Sequence, residues 1–170
     1  INEYPNTQIK EIAATYLSIL TPSSITSNLT ADTSVTSIAN QGGVLNGPFQ
    51  YKPNELHYVI VIVNVSKHAV LDIKNDVNNF NKEFFRLQNF NMNSFYINQN
   101  EQMVTISRFK NKETSLEYYN TITRNDKFAS KIGDASITIY PISATNYTTY
   151  YNKIDQRPMY KEFFETYYLK

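Results

Sequence analysis

Histidine is the side chain that most often supplies acid–base catalysis or a metal ligand near neutral pH, and this chain has two, His57 and His68. They stand eleven residues apart, without a cysteine anywhere in the chain and without a carboxylate cluster beside them. That spacing matches no metal site, and a structural role for His57, hydrogen-bonded near a strand end, is the better reading. Asp72 and Asp76 are one helical turn apart. The apolar stripe of their helix runs through Ile73 and Val77, so both carboxylates point to solvent. A serine nucleophile would need an elbow or a lysine partner motif, and none is present. A phosphate cradle needs glycines, whereas three of the four glycines fall between residues 42 and 47. Nucleotide binding is therefore disfavoured. The expectation is no catalytic residue, no metal ligand and no cofactor, with the binding residues left unassigned.

Two further features concern binding. Arg108 and Phe109 place a base beside an aromatic ring on a strand, as on the sheet face of RNA-binding modules. However, that strand lacks the glycine–aromatic alternation of such modules, and the net charge of +1 gives no basic surface for nucleic acid. The pairs Tyr118-Tyr119, Tyr150-Tyr151 and Tyr167-Tyr168 read mainly as core residues with wet phenol tips. Exposed members would suit a partner surface, where tyrosine is enriched.

The elements that hold these residues follow from hydrophobic period. Residues 5–20 form a short amphipathic helix opened by Pro5 and striped by Ile9, Ile12, Ala13, Tyr16 and Leu20. Residues 21–54, rich in Ser, Thr, Asn and Gly, read as a linker, with apolar residues such as Phe49 able to pin parts of it. Residues 56–65 are a strand that is apolar on both faces and hence central. Val70, Ile73, Val77, Phe80, Phe84 and Leu87 mark a helix over residues 69–87. Residues 94–98 and 102–109 form a hairpin. Asn111 caps a helix reaching Arg124 with Leu116, Tyr119 and Ile122 facing inward. A strand follows over residues 136–140. Two aromatic helices close the chain, one capped by Ser143 and carrying Tyr147, Tyr150, Tyr151 and Ile154, the other opened by Pro158. Strand, helix, strand, strand, helix, strand is the ferredoxin-like βαββαβ order, an α+β fold with two C-terminal helices. The longest apolar run, residues 58–63, suits a buried strand and is too short for a membrane span. A chain that begins with Ile reads as a piece of a longer protein.

Three segments carry a resemblance. Residues 4–20, opening Tyr-Pro-Asn-Thr, resemble the closing helix of a tetratricopeptide array. Residues 57–85, with His57-Tyr58 before the valine strand and Asn79-Phe80-Asn81 on the helix, resemble the domain after such repeats in large envelope lipoproteins of Bacteroidota. Residues 104–119, then Ile142-Ser143, Asn146-Tyr147, Tyr160 and Phe163-Phe164, continue it. The similarity is to the PorW/SprE-like proteins of type IX secretion and gliding motility, and it covers most of residues 55–170. Thr114-Ser115 stands where that pattern has an alanine. A more distant resemblance is to SPOR domains, which hold peptidoglycan on a sheet face. These resemblances imply three segments: a repeat helix over 1–20, a linker over 21–54 and an interaction domain over 55–170. They imply a periplasmic protein tethered to the outer membrane by a lipid anchor upstream of Ile1. Its partners would be other envelope or secretion-complex proteins, with peptidoglycan as the alternative.

Overall fold

The computed structural model describes residues 47–170; the expected repeat helix over 1–20, and the expected linker as far as residue 46, lie outside the described residues. The central strand β1, His57–Asn64, is followed by helix α1, Val70–Phe84, and by the hairpin strands β2, Asn91–Tyr96, and β3, Glu101–Phe109. Helices α2, Lys112–Thr123, and α3, Asp126–Gly133, lead to β4, Ile137–Ser143. Helix α4, Ala144–Asn152, a 3₁₀ turn at Ile154–Gln156 and helix α5, Met159–Tyr167, complete the chain. The sheet order is β2-β3-β1-β4 with every neighbouring pair antiparallel. This is the ferredoxin-like α+β fold with C-terminal helices.

β1 is central because both of its faces are oily. Val59, Val61 and Val63 enter the layer built with Ile73, Val77 and Phe80 of α1, Tyr118 and Ile122 of α2 and Phe128 of α3. Ile60 and Ile62 face the opposite way, into a layer with Tyr150 of α4 and Tyr160, Phe163 and Phe164 of α5. Each such burial contributes about 1.5–3 kcal/mol, so the sheet is held between two helical layers. Phe49 joins the second layer, its ring 4.8 Å from Tyr160 in an edge-on contact. Part of the segment read as a linker is thus pinned to the domain, by Phe49, by Tyr51 stacked 5.2 Å from Tyr167, and by the paired hydrogen bonds between Gln50 and Asn146.

Local chemistry sets the element ends. Asn111 accepts from the Thr114 backbone N–H at 3.0 Å while the Thr114 hydroxyl accepts from the Asn111 backbone N–H at 3.3 Å, a reciprocal cap on α2. The neighbouring hydroxyl is used as well: Ser115 is fully buried and donates to the Lys112 carbonyl at 2.8 Å. α1 stops at Phe84, earlier than the expected residue 87. Its cap residue Phe85 leaves helical geometry and turns its ring toward Tyr118, 4.9 Å away, and Leu87 is left 91% exposed. The inward residue of α2 is Tyr118, fully buried, where Tyr119 was expected; Tyr119 is partly buried and spans both layers, 5.1 Å from Phe164. α3 was not expected. It is eight residues long with one buried side chain, Phe128, so it has no stripe to read, although Asn125 caps it and Asp126 sits in its first turn.

One irregularity orients a strand. Between the pairs Val59–Ile106 and His57–Phe109 β3 holds one residue more than β1, and Arg108 takes φ of 87° there. Because side chains alternate, one extra residue flips the next position to the other face. Phe109 thereby joins Val104 and Ile106 in the first layer instead of facing the second.

Candidate interaction surface

The two histidines are placed apart. His57 opens β1 and His68 lies beyond its other end, a separation on the order of 25 Å along an eight-residue strand. His57 is fully buried; its Nδ1 lies 2.8 Å from the Glu55 carbonyl and its Nε2 2.8 Å from the Tyr168 hydroxyl. A carbonyl can only accept, so Nδ1 carries the proton and Nε2 accepts from Tyr168. Burial lowers the imidazole's pKa; the Glu55 carbonyl and the Glu113 and Glu55 carboxylates act against that shift, and Lys112 adds to it. The neutral ring anchors the residue at the end of α5 to the start of β1. His68 Nε2 meets the Ser136 hydroxyl at 2.9 Å. Asp72 is exposed in the first turn of α1, and Asp76 pairs with Lys131 of α3 at 3.5 Å. Among the described residues, no three His, Cys, Asp or Glu side chains gather into a group able to hold a metal.

The sheet face that an RNA-binding module would leave open is covered here by α4 and α5. Tyr147 packs on Tyr58 at 4.7 Å between centroids, and Phe164 on Tyr140 at 5.1 Å. Phe109 is buried in the first layer, so it offers no stacking platform beside Arg108. Each tyrosine pair divides between roles. Tyr118, Tyr150 and Tyr168 are buried, whereas Tyr119 and Tyr167 are partly covered and Tyr151 is 46% exposed.

The cover over the second face is incomplete at one end. A cleft of about 450 Å³ opens there, floored by Ile62, Thr138 and Tyr140 and walled by Asn98, Tyr150 and Arg157. Arg157 is committed to holding the wall together. Its guanidinium donates to the carbonyls of Tyr150 at 2.8 Å, Tyr151 at 3.0 Å and Ile97 at 3.1 Å, so it caps the last turn of α4 and ties it to the β2–β3 turn. Burial pushes the Tyr140 phenol up to about 12, so it stays neutral in physiological buffer.

The two sheet edges differ. β4 carries Pro141, which has no N–H to offer a neighbour, and α2 packs against it. β2 is the opposite edge, and residues 87–100, which contain it, have no charged side chain at all. Around it stand Tyr96, 68% exposed, and Tyr151, whose ring meets Phe95 edge-on at 5.7 Å. An uncharged, proline-free edge bordered by half-wet aromatics is a template for backbone pairing. The tyrosine pairs pointed toward such a rim. The strand agrees with the expected hairpin over its residues 94–96, and begins three residues earlier than expected, at Asn91.

No family model, no curated protein and no solved structure matches this chain. Among the described residues, no helix is long and apolar enough to cross a membrane.

Proposed function

We propose that residues 47–170 are a non-catalytic interaction and scaffold module, which docks other proteins of a cell-envelope secretion or gliding assembly along the β2 edge. The observation that carries this reading is the contrast between the edges: β4 is guarded by Pro141, whose carbonyl already accepts from the Tyr160 hydroxyl, while β2 has neither charge nor proline and keeps Tyr96 exposed beside it. Strand addition supplies affinity through main-chain hydrogen bonds and specificity through alternate side chains. The envelope setting is supported by the resemblance of residues 57–85 and 104–119 to domains that follow tetratricopeptide repeats in lipoproteins. Affinity capture from a solubilised envelope fraction, with the wild-type chain and Asn93→Lys as parallel baits, tests it. Proteins held by the wild type and released by the edge variant are expected; identical sets, or none, overturn the reading.

A second reading is a SPOR-like peptidoglycan-binding module. It is favoured by the cleft at the end of the second face, where the neutral phenols of Tyr140 and Tyr150 sit beside the Asn98 amide and Glu101. The tail helices count against it, because they occupy most of the face that a glycan strand would need. Co-sedimentation with purified peptidoglycan separates the two: pelleting of the wild type but not of Tyr140→Ala supports the glycan reading, and a wholly soluble wild type removes it.

A further inference from the structure

We infer that the β2 edge also takes a second copy of this chain, weakly and in competition with those other proteins, joined about a two-fold axis into a continuous eight-stranded antiparallel sheet; this rests on the edge being the module's interaction surface. Self-pairing sets a condition that pairing with a different partner does not. A strand that pairs with itself brings its own residues face to face, so any charge near the axis meets its like, and like charges directly opposite are destabilising. Most edges are guarded in this way by lysine or glutamate. Here Asn91–Tyr96 reads Asn-Met-Asn-Ser-Phe-Tyr, and the flanking residues out to 87 and 100 are uncharged as well. The segment is compatible with itself along its whole length, in a chain with 18% charged residues.

The pleat narrows the geometry. Met92 pairs with Ile106 and packs on the first layer, whereas Phe95 pairs with Met103 and packs on the second. A two-fold axis perpendicular to the sheet keeps each layer on its own side, so residues opposite one another must share a face. Of the registers that satisfy this, two centre the pairing on the strand. An axis at Asn93 sets Asn91 against Phe95 of the other copy; an axis at Ser94 sets Asn93 against Phe95 and Met92 against Tyr96. Both bring an asparagine amide over an aromatic ring and leave the two helical layers continuous across the join. The opposite edge cannot do the same, since Pro141 lacks a donor. Six residues of strand with a tyrosine rim bury less than a standard interface, so the dimer is expected to be weak, with a dissociation constant on the order of 10 µM.

Sedimentation equilibrium of the 170-residue chain from about 1 to 200 µM reads the association, with circular dichroism melts to show that each variant is folded. Wild type is expected to dimerise within this range. Asn93→Lys and Asn93→Asp, at an exposed position, are each expected to raise the dissociation constant about ten-fold or more, and an equimolar mixture of the two to restore the dimer. Because the chain has no cysteine, Asn93→Cys and Ser94→Cys give a second reading: cross-strand neighbours lie within disulfide reach, so oxidation should link copies at one of these positions and not at Thr138→Cys on the other edge. A monomer at 200 µM, a dimer indifferent to both charges, or linking confined to position 138 overturns the inference. If the wild type stays monomeric while envelope proteins are still captured in an edge-dependent way, self-pairing alone is refuted. Loss of edge dependence in the capture refutes the broader reading.

Discussion

Acid should loosen the junction between β1 and the last helix through His57. The ring is fully buried, with Nδ1–H donating to the Glu55 carbonyl and Nε2 accepting from Tyr168. Protonating Nε2 would set two hydrogens against each other, so the Tyr168 hydroxyl would have to turn away, and the new charge would lie in the core. Burial is the largest influence on this group and holds its pKa below the ordinary 6.5. The sign follows. Above 6.5 the imidazole is neutral in both folded and unfolded chains, and the full stability is present. As pH falls through 6.5 the unfolded chain takes up a proton that the folded one refuses, so stability drops until the pH reaches the folded-state pKa. One proton gives a slope of up to about 1.4 kcal/mol per pH unit. Urea unfolding between pH 7.5 and 5 measures it. Wild type should lose stability across that window. His57→Gln should be weaker at pH 7.5 and should lose most of that slope. Asp134, held below its usual range chiefly by hydrogen bonds from Ser136, loses its contribution only at pH values below about 4, outside the window. A wild-type slope in His57→Gln, or stability that rises on acidification, would refute the reasoning.

Three further perturbations are expected to act on stability or local order. Tyr118→Phe removes the 2.7 Å bond to Asn81 Oδ1 and leaves that buried amide without this donor, costing about 1–3 kcal/mol in urea melts; adding Asn81→Leu should recover part of the loss. Arg157→Ala strips three carbonyl bonds from the end of α4 and the β2–β3 turn, and hydrogen exchange should speed up around residues 150–156 while β1 remains protected. Arg108→Gly should raise stability by about 1 kcal/mol, because a φ of 87° suits glycine, whereas Arg108→Ala, which keeps the strain, should change it by less than about 0.5 kcal/mol.

Elements with a clean period were legible in the sequence. The valines and isoleucines of β1 alternate between two oily faces, and Ile73, Val77 and Phe80 repeat at helical spacing, so a central strand and its crossover helix follow directly. The capping chemistry of Asn111 and Ser143 was equally readable, because a side-chain oxygen ahead of a helix has one obvious use. What failed was the choice between adjacent residues. Tyr118 and Tyr119 differ by about 100° around α2, and both are aromatic. The rings of Phe80, Phe85, Phe90 and Phe109 around it, with Asn81 taking its hydroxyl, make Tyr118 the buried one. The bulge at Arg108 left no local mark either, since neither glycine nor asparagine occupies the left-handed position.

The β2 edge shows why a binding surface is harder to read than a core. Residues 91–93 were left out of the expected strand, because asparagine is a poor strand former and the run resembles a loop. β3 overrides that propensity, since its neighbours Ile106 and Thr105 present a finished ladder to Met92 and Asn93. A strand held in place by its partner is free of the need for strand-forming residues of its own, and its outward side can be chosen for another purpose. In β4 that freedom is spent on Pro141, which protects the edge. In β2 it is spent on neutral amides, a serine and an exposed tyrosine, and among the described residues no further strand pairs with its outer side.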